Sequence, residues 1–213
     1  MSRIKITEIF YSLQAETKTV GLPTVFVRLT GCPLRCGYCD TAYAFKGGNY
    51  LEVDEILQKV KQYNTKYVTV TGGEPLAQKA CIELLKTLCD EGYQVSLETS
   101  GALDVAKVDA RVIKVIDFKT PDSLEEAKNR FENVQHILPH DQVKFVLCSK
   151  NDYEWAKSII EKYDLVNLCE ILFSPSFADL EPGLLADWLL KDQLQVRMQI
   201  QLHKILWGDA IGR

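Results

Sequence analysis

The sequence predicts an α/β protein whose architecture is a partial, incomplete TIM-like barrel of about six parallel strands with connecting helices. Segments rich in β-branched residues alternate along the chain with segments of helical periodicity, and this alternation is typical of a parallel sheet. Polar clusters follow several of the strand segments, at the edge where parallel sheets bind ligands. Since about six strands are fewer than the eight of a closed barrel, we expect an open one. The 213 residues suit one domain, 1–213.

Each predicted strand is a short run of apolar and β-branched residues, and each predicted helix places apolar residues three and four positions apart. Gly92 stands where the second helix is expected to end, and Ser123 with Glu126 forms a capping-box pattern at the start of the third. The strands are expected at 24–29, 67–70, 94–98, 112–119, 143–148, 169–173 and near 196–202. The helices are expected at 51–63, 77–91, 123–131 and 152–163, and a long loop at 31–50.

Composition and charge exclude several classes of protein. The chain is 46% hydrophobic and 25% charged, and its net charge of -4 lacks the basic surplus typical of nucleic-acid binding. No apolar run approaches the roughly 20 residues that span a bilayer, and the first residues show no signal-peptide pattern. We therefore expect a cytoplasmic protein that binds neither nucleic acid nor membrane.

Three of the seven cysteines are close together in the sequence, which in a reducing compartment indicates metal binding or catalysis rather than disulfides. Cys32, Cys36 and Cys39 have the spacing C-x3-C-x2-C. Thiolates suit zinc or iron–sulfur clusters, and a structural zinc ion normally takes four ligands. Three thiolates on a four-iron cluster would leave one iron open for a small molecule. A zinc site completed by a remote cysteine or histidine stays open as the alternative.

The cysteine motif, C-x3-C-x-aromatic-C with Tyr38 as the aromatic residue, resembles the signature of the radical S-adenosylmethionine (SAM) superfamily. The resemblance implies a [4Fe-4S] cluster on the three cysteines, SAM on the open iron, and the adenine of SAM near Tyr38. After the next strand, the segment 71–75 (TGGEP) is similar to the GGEP motif of this superfamily. That similarity implies that Gly73 and Glu74 contact the methionyl amino group of SAM.

Polar residues after the third and fourth predicted strands are further candidates for SAM contacts. Glu98 and Ser100 follow one strand and Lys119 follows the next, where members of the superfamily often bring polar groups to the SAM ribose. Ordinary loop polarity or helix capping is an equally good interpretation of these residues.

The N-terminal segment 13–16 (LQAE), followed by Arg28 ahead of the cysteines, resembles the 7-carboxy-7-deazaguanine synthase family of queuosine and deazapurine biosynthesis. The C-terminal residues 197–204 also resemble the family's ending. The family segment usually reads LQGEG, whereas Ala15 and Thr17 replace both glycines here. The resemblance implies conversion of 6-carboxy-5,6,7,8-tetrahydropterin into 7-carboxy-7-deazaguanine with loss of ammonia, which is a ring-contracting carbon–nitrogen lyase reaction.

A flat, polar, anionic pterin needs hydrogen-bond partners and a cation. Gln14 and Glu16 offer an amide and a carboxylate for the pterin edge, and Arg28 offers a planar fork for the carboxylate. Alternation along the expected last strand would place four polar side chains on one face, for which a solvated edge strand is the alternative. The full set of expected substrate-binding residues is Leu13, Gln14, Ala15, Glu16, Arg28, Thr71, Arg197, Gln199, Gln201 and His203.

The resemblance also implies a magnesium ion held by Thr41 together with the substrate, a flavodoxin-like reductant, and a homodimer. A rival within the superfamily is an activating enzyme that installs a glycyl radical on a protein partner. The segment 13–16 and the lack of a second cysteine cluster in the sequence favour a small-molecule substrate. A rival from another class is a non-catalytic zinc-binding interaction module.

Overall fold

The computed structural model describes residues 3–212 and is built around one nine-stranded sheet. The strands are β1 (Arg3–Leu13), β2 (Pro23–Leu29), β3 (Asn49–Glu52), β4 (Tyr67–Gly72), β5 (Gln94–Thr99), β6 (Ile113–Asp117), β7 (Gln142–Leu147), β8 (Glu170–Pro175) and β9 (Arg197–Met198). The helices are α1 (Val53–Val60), α2 (Cys81–Asp90), α3 (Lys150–Lys162), α4 (Pro182–Asp192) and α5 (Leu202–Trp207).

The sheet is open and mostly parallel, with the strand order β3-β1-β2-β4-β5-β6-β7-β8-β9. β2 and β4 to β9 run parallel, whereas β1 pairs antiparallel with both β2 and β3 at one edge. This confirms the predicted α/β class, but the sheet has nine strands rather than about six. Within residues 3–212, every helix is too short or too polar to span a bilayer.

The strand register gives the sheet two different faces. Residues paired across neighbouring strands point to the same side, and successive residues point to opposite sides. Arg28 lies opposite Thr71, and Asp117 lies opposite Lys144. Glu98 belongs to the same side through the β5–β6 register. Five adjacent parallel strands therefore present polar side chains to the inner side of the sheet.

The outer side of the sheet is apolar and carries the core. Val27 on β2 and Val70 on β4 are fully buried there, against the α1 residue Ile56. Cys81 and Cys89 on α2 are 0% and 9% exposed in the same cluster, so they act as small apolar core residues. With the apolar mass on the outer side, the polar inner side is left to form a site.

The predicted helix over 123–131 is wrong. Leu124 has a left-handed φ of 66°, which ends the first turn. The Asn129 side chain then accepts a hydrogen bond from the Lys119 N–H and donates one to the Lys119 carbonyl, both at 2.8 Å. Such side-chain bonds to backbone compete with helix formation. Three separate 3-10 turns replace the helix, at Pro121–Ser123, Glu126–Lys128 and Phe131–His136.

The predicted last strand over 196–202 is wrong in its extent. β9 covers only two residues, and Gln201 is already the N-cap of α5. His203 lies within that helix. Because strand alternation stops at Met198, Arg197, Gln201 and His203 do not share a strand face.

Candidate active site

A cavity of about 820 Å³ opens at the C-terminal edge of the parallel strands. It is lined by the ends of β1, β2 and β4 to β7, by the loop that carries the cysteines, and by residues 208–212. Its size is typical of sites for small organic ligands, which occupy about 300–1,000 Å³. The inner-face polar side chains of the sheet point into this cavity.

Cys32, Cys36 and Cys39 all line the cavity. Burial raises the pKa of the Cys32 thiol, and it raises the pKa of Cys36 to about 11. A thiol must lose its proton to bind a metal, so metal binding at this loop releases protons.

The spacing of the three thiols argues against a single zinc ion. Tetrahedral zinc holds sulfur at about 2.3 Å, so its sulfur ligands lie about 4 Å apart. Among the Asp, Glu, His and Cys residues within 3–212, one group has three potential ligand atoms within 4.8 Å of one another. It consists of Glu16, Asp40 and His203 and includes none of the cysteines. At least two of the three cysteine sulfurs therefore lie more than 4.8 Å apart, as ligands to different irons of one cluster do.

The TGGEP segment packs directly on the cysteine loop. A Cβ on Gly73 would lie 2.2 Å from the Gly31 carbonyl oxygen and 2.8 Å from the Cβ of Cys32. Gly72 has a φ of 149°, and a Cβ there would lie 2.3 Å from the Leu29 carbonyl oxygen. Only glycine fits at these two positions. The pair of glycines thus brings the end of β4 against the start of the cysteine loop.

The Glu74 carboxylate is fully buried and is satisfied by the protein itself. It accepts hydrogen bonds from the Thr99 hydroxyl at 2.9 Å and from the Leu76 N–H at 3.0 Å. It also accepts from both the N–H, at 2.7 Å, and the hydroxyl of Ser100. Gly73 and Ser100 line the cavity, whereas Glu74 does not. The carboxylate therefore ties the end of β4 to the end of β5 instead of facing a ligand.

Tyr38, Asp117 and Lys119 form one corner of the cavity. The Lys119 ammonium donates to Asp117 at 2.9 Å and lies 5.6 Å from the centroid of the Tyr38 ring. Burial alone would lower the pKa of Lys119, but Asp117 and then Tyr38 outweigh it and hold that pKa well above the usual value. Burial raises the pKa of Tyr38, which keeps its hydroxyl protonated. The Tyr38 hydroxyl and Asp117 Oδ1 are buried without a partner in the described residues, so a ligand can use both.

Gln14 has its side-chain amide fully committed within the protein. Its Oε1 accepts from the N–H groups of Ala15 and Glu16 at 2.7 and 2.8 Å. Its Nε2 donates to Glu98 at 3.1 Å and to Thr69 at 3.3 Å. The amide therefore shapes the turn after β1 and holds Glu98. Leu13, Gln14 and Ala15 all contribute to the cavity wall.

Glu16 is paired with Lys144, a residue outside the predicted site. Burial alone would raise the pKa of Glu16, but Lys144 and then His203 outweigh it and lower the pKa to about 2. Burial alone would lower the pKa of Lys144, but Glu16 and then Asp117 raise it. The two groups form a buried ion pair. Burial and then the charge of Glu16 raise the pKa of Glu98, to which the Thr71 hydroxyl donates at 3.0 Å.

The start of α5 crosses the cavity next to Thr41. The Thr41 hydroxyl donates to Asp40 Oδ1 at 2.7 Å. Gln201 Nε2 donates to the other Asp40 oxygen at 3.2 Å, and His203 lies between Asp40 and Glu16 at 3.8 and 3.5 Å. Oxygen groups beside Thr41 have the chemistry that a hard cation such as Mg²⁺ prefers.

Arg28 lies on the inner face of β2 and lines the cavity. Its Nε donates to Glu8 Oε1 at 2.7 Å, and its guanidinium lies over the rings of Phe10 and Tyr43. Phe10 and Phe26 stack with ring centroids 4.9 Å apart. A cation beside flat apolar rings is a suitable surface for a planar anion.

Comparison with known proteins places this chain in a family. Residues 26–164 match the family model of the radical SAM superfamily. The chain is 46% identical over 213 residues to a 7-carboxy-7-deazaguanine synthase from Chlorobaculum tepidum, with 98% of this chain and 97% of that protein covered. It is 40% identical over 219 residues to a 7-carboxy-7-deazaguanine synthase from Koribacter versatilis, with 96% and 97% covered. The chain belongs to the 7-carboxy-7-deazaguanine synthase family of radical SAM enzymes.

The crystal structure of QueE from Escherichia coli has the same fold, with a TM-score of 0.74 at 20% identity over 93% of this chain and 94% of that one. Membership of the 7-carboxy-7-deazaguanine synthase family confirms the predicted radical SAM enzyme with its [4Fe-4S] cluster and SAM. It favours the predicted synthase over both the glycyl-radical activating enzyme and the zinc-binding module.

Two of the residues that the sequence predicts to bind substrate in this 7-carboxy-7-deazaguanine synthase family member lie outside the cavity. Arg197 pairs with Glu170 at 2.6 Å and keeps 45% of its side chain exposed. Gln199 is buried and donates to the Ile200 carbonyl at 3.4 Å. Neither lines the cavity, because the chain leaves the sheet after β9. The residues that the sequence pattern missed are Glu8, Phe10, Phe26 and Lys144.

Proposed function

We propose that the chain converts 6-carboxy-5,6,7,8-tetrahydropterin into 7-carboxy-7-deazaguanine with loss of ammonia. The observation that carries this proposal is that one cavity holds three cluster thiols and the Arg28 guanidinium. Radical chemistry requires the substrate to share an enclosed space with the cluster and SAM. A guanidinium in that space supplies the cation that a substrate carboxylate needs.

The donor set fits the cofactors. Cys32, Cys36 and Cys39 would hold the cluster. When bound, the reduced cluster and SAM supply the hydrogen abstraction that starts the reaction. The unpartnered polar atoms of Tyr38 and Asp117 are available to SAM. Further proposed SAM-contacting residues are Gly73, Ser100 and Lys119, whereas Glu74 would act by holding its neighbours.

The chain's own residues would bind and orient the pterin. Arg28 would pair with the substrate carboxylate, and the carboxyl groups of Glu16 and Glu98 would face its N–H groups. Gln14 would act indirectly, since its amide already binds Glu98 and the turn after β1. Further proposed substrate contacts are Leu13, Ala15, Thr71, Gln201 and His203, all of which line the cavity.

Thr41 would contribute its hydroxyl to a magnesium ion, with the Asp40 carboxylate 2.7 Å away. A site with few protein ligands relies on substrate oxygens and water to complete six-fold coordination. Magnesium is therefore expected to bind together with the substrate.

Broader features complete the proposal. The parallel strands β2 and β4 to β8 would curve as a partial barrel around the cavity, within one domain spanning 1–213. The enzyme would work as a cytoplasmic homodimer and take electrons from a flavodoxin-like donor. These expectations rest on the resemblance to the family.

Anaerobic turnover tests the proposed reaction. The reconstituted enzyme with SAM, Mg²⁺, dithionite and 6-carboxytetrahydropterin should form 7-carboxy-7-deazaguanine, detected by mass spectrometry. Arg28→Ala should raise KM for the pterin about 10- to 100-fold, since a charged hydrogen bond is worth about 1.5–3 kcal/mol. Arg111→Ala, on an exposed surface ion pair, is the control. Absence of the product with fully loaded wild-type enzyme would refute the reaction.

A further inference from the structure

Arg28 donates a hydrogen bond within the protein from one nitrogen of its guanidinium, Nε. Within residues 3–212, its hydrogen bonding runs through Nε, which donates to Glu8 Oε1 at 2.7 Å. Both side chains are largely buried, with 16% and 19% exposed. The two terminal nitrogens of Arg28 form no hydrogen bond within residues 3–212, and the residue lines the cavity. Such an arrangement presents the end of the planar fork to a carboxylate.

A β-bulge brings Glu8 to this position. Ile6 pairs with Leu29, but the register between β1 and β2 shifts before Glu8, which pairs with Arg28. Without the shift, Thr7 would stand opposite Arg28, and Glu8 would point to the apolar outer side. Bulges commonly re-aim a side chain next to an active site. The extra residue in β1 therefore has the direct effect of placing a carboxylate beside the guanidinium.

Tyr43 binds the same carboxylate oxygen from the cysteine loop. Its hydroxyl donates to Glu8 Oε1 at 2.8 Å, and its ring centroid lies 5.8 Å from the Arg28 guanidinium carbon. Glu8 thus receives hydrogen bonds from β2 and from the loop that carries the cluster ligands.

We propose that Glu8 and Tyr43 are positioning residues that fix the Arg28 guanidinium for the substrate carboxylate. The inference rests on the proposed function and deepens it. Glu8 sets the rotation of the guanidinium by holding Nε, and Tyr43 holds Glu8. Through Tyr43, the carboxylate-binding group and the cluster loop share one hydrogen-bonded unit, so the pterin is placed relative to the cluster.

Steady-state kinetics of the cluster-loaded full-length enzyme test this proposal. Glu8→Gln keeps the shape and removes the charge, and should raise KM for 6-carboxytetrahydropterin about tenfold. Tyr43→Phe removes only the hydroxyl and should raise KM about threefold. In both variants kcat should change less than about twofold, because Arg28 binds substrate and transition state alike. The controls are Glu91→Gln, in an exposed pair with Lys61, and Tyr50→Phe, at an exposed tyrosine.

A double-mutant comparison separates positioning from general structural damage. In an Arg28→Ala background, Glu8→Gln should raise KM no further, because Glu8 acts through Arg28. An equal increase in both backgrounds would overturn the proposal. Dithionite-driven SAM cleavage without pterin should be unchanged by either single variant. A parallel loss of SAM cleavage would show a structural role in the cysteine loop and would also overturn it.

A binding measurement distinguishes failure of this inference from failure of the proposed reaction. The affinity of the loaded enzyme for 6-carboxypterin can be followed by the fluorescence of the pterin. Suppose that the wild-type enzyme binds 6-carboxypterin but makes no product from 6-carboxytetrahydropterin. The proposed reaction would then be refuted, while a tenfold weaker affinity for 6-carboxypterin in Glu8→Gln would still support the positioning role. Equal affinity in wild type and Glu8→Gln would refute that role.

Discussion

Lys144 extends an ammonium group from the middle of β7 into the cavity wall, with 10% of its side chain exposed. It pairs with Glu16, and it also faces the carboxyl groups of Glu98 and Asp117. Removing ions from water costs several kcal/mol for each ion, and only a well-placed partner offsets that cost. Stability at this point therefore depends on the pair being complete, rather than on either charge alone.

Lys144→Met should lower the free energy of unfolding by about 3–5 kcal/mol, because it leaves Glu16 as a buried anion without its partner. The double variant Lys144→Met/Glu16→Gln should recover more than half of that loss. Anaerobic urea unfolding followed by circular dichroism measures both. As a control, Lys61→Met should change stability by no more than about 1 kcal/mol, since its pair with Glu91 is exposed. A double variant as unstable as the sum of its single variants would contradict this explanation.

Motif residues could be found from the sequence, whereas residues inside strands could not. The cysteines, Tyr38 and Gly73 stand in segments with recognisable spacing. Lys144 and Glu8 carry no such mark, because their direction depends on strand register. A shift of one residue exchanges the inner and outer sides of a strand, and the bulge in β1 makes that shift.

At the scale of elements, the regular strands and helices α1 to α3 follow apolar periodicity, so the sequence predicts them. β1 escapes prediction because charged residues interrupt its apolar alternation, and these include Glu8, which binds Arg28 on the inner side of the sheet. The start of α5 is difficult to predict because the polar residues before it also fit the alternation of a strand. The prediction of a helix over 123–131 fails because the Asn129 side chain binds the backbone of Lys119, a contact that local sequence does not indicate. In these segments, contacts with distant residues decide the structure more than local propensity does.

The contact between the end of β4 and the cysteine loop has almost no steric tolerance. Gly73→Ala should displace the loop, because its Cβ would meet the Gly31 carbonyl oxygen at 2.2 Å. Iron and sulfide content after anaerobic reconstitution should fall at least several-fold, with a matching loss of SAM cleavage. Gly37→Ala is the matched control in the same loop, since the nearest atom to its Cβ would be 3.8 Å away. Normal iron and sulfide content in Gly73→Ala would contradict this prediction, because it would show that the cysteine loop can shift and still bind the cluster.

At the scale of the whole molecule, the apolar core and the cavity lie on opposite sides of one sheet. Helices α1 to α4 pack on the outer side, where buried apolar area supplies most of the stability. The inner edge is held by hydrogen bonds, by ion pairs and by the loop that carries the three thiols. A bound cluster would join Cys32, Cys36 and Cys39 and so restrain this edge. Cluster loading is therefore expected to stabilise the fold as well as to enable the chemistry.

The thermal midpoint Tm should rise when the cluster is loaded, because a ligand that binds only the folded state stabilises it. Each kcal/mol added to the free energy of unfolding should raise Tm by about 2–4 °C. Because burial raises the pKa of Cys32 and Cys36, the free thiols hold their protons at neutral pH. Loading releases those protons, so by mass action the rise in Tm should grow from about pH 6.5 to about pH 8.5. Anaerobic thermal unfolding of loaded and cluster-free protein measures it. Cys36→Ala should lose the rise in Tm, whereas Cys169→Ser should keep it. If loaded and cluster-free protein had the same Tm at every pH, the cluster would not restrain the cavity edge through the cysteine loop.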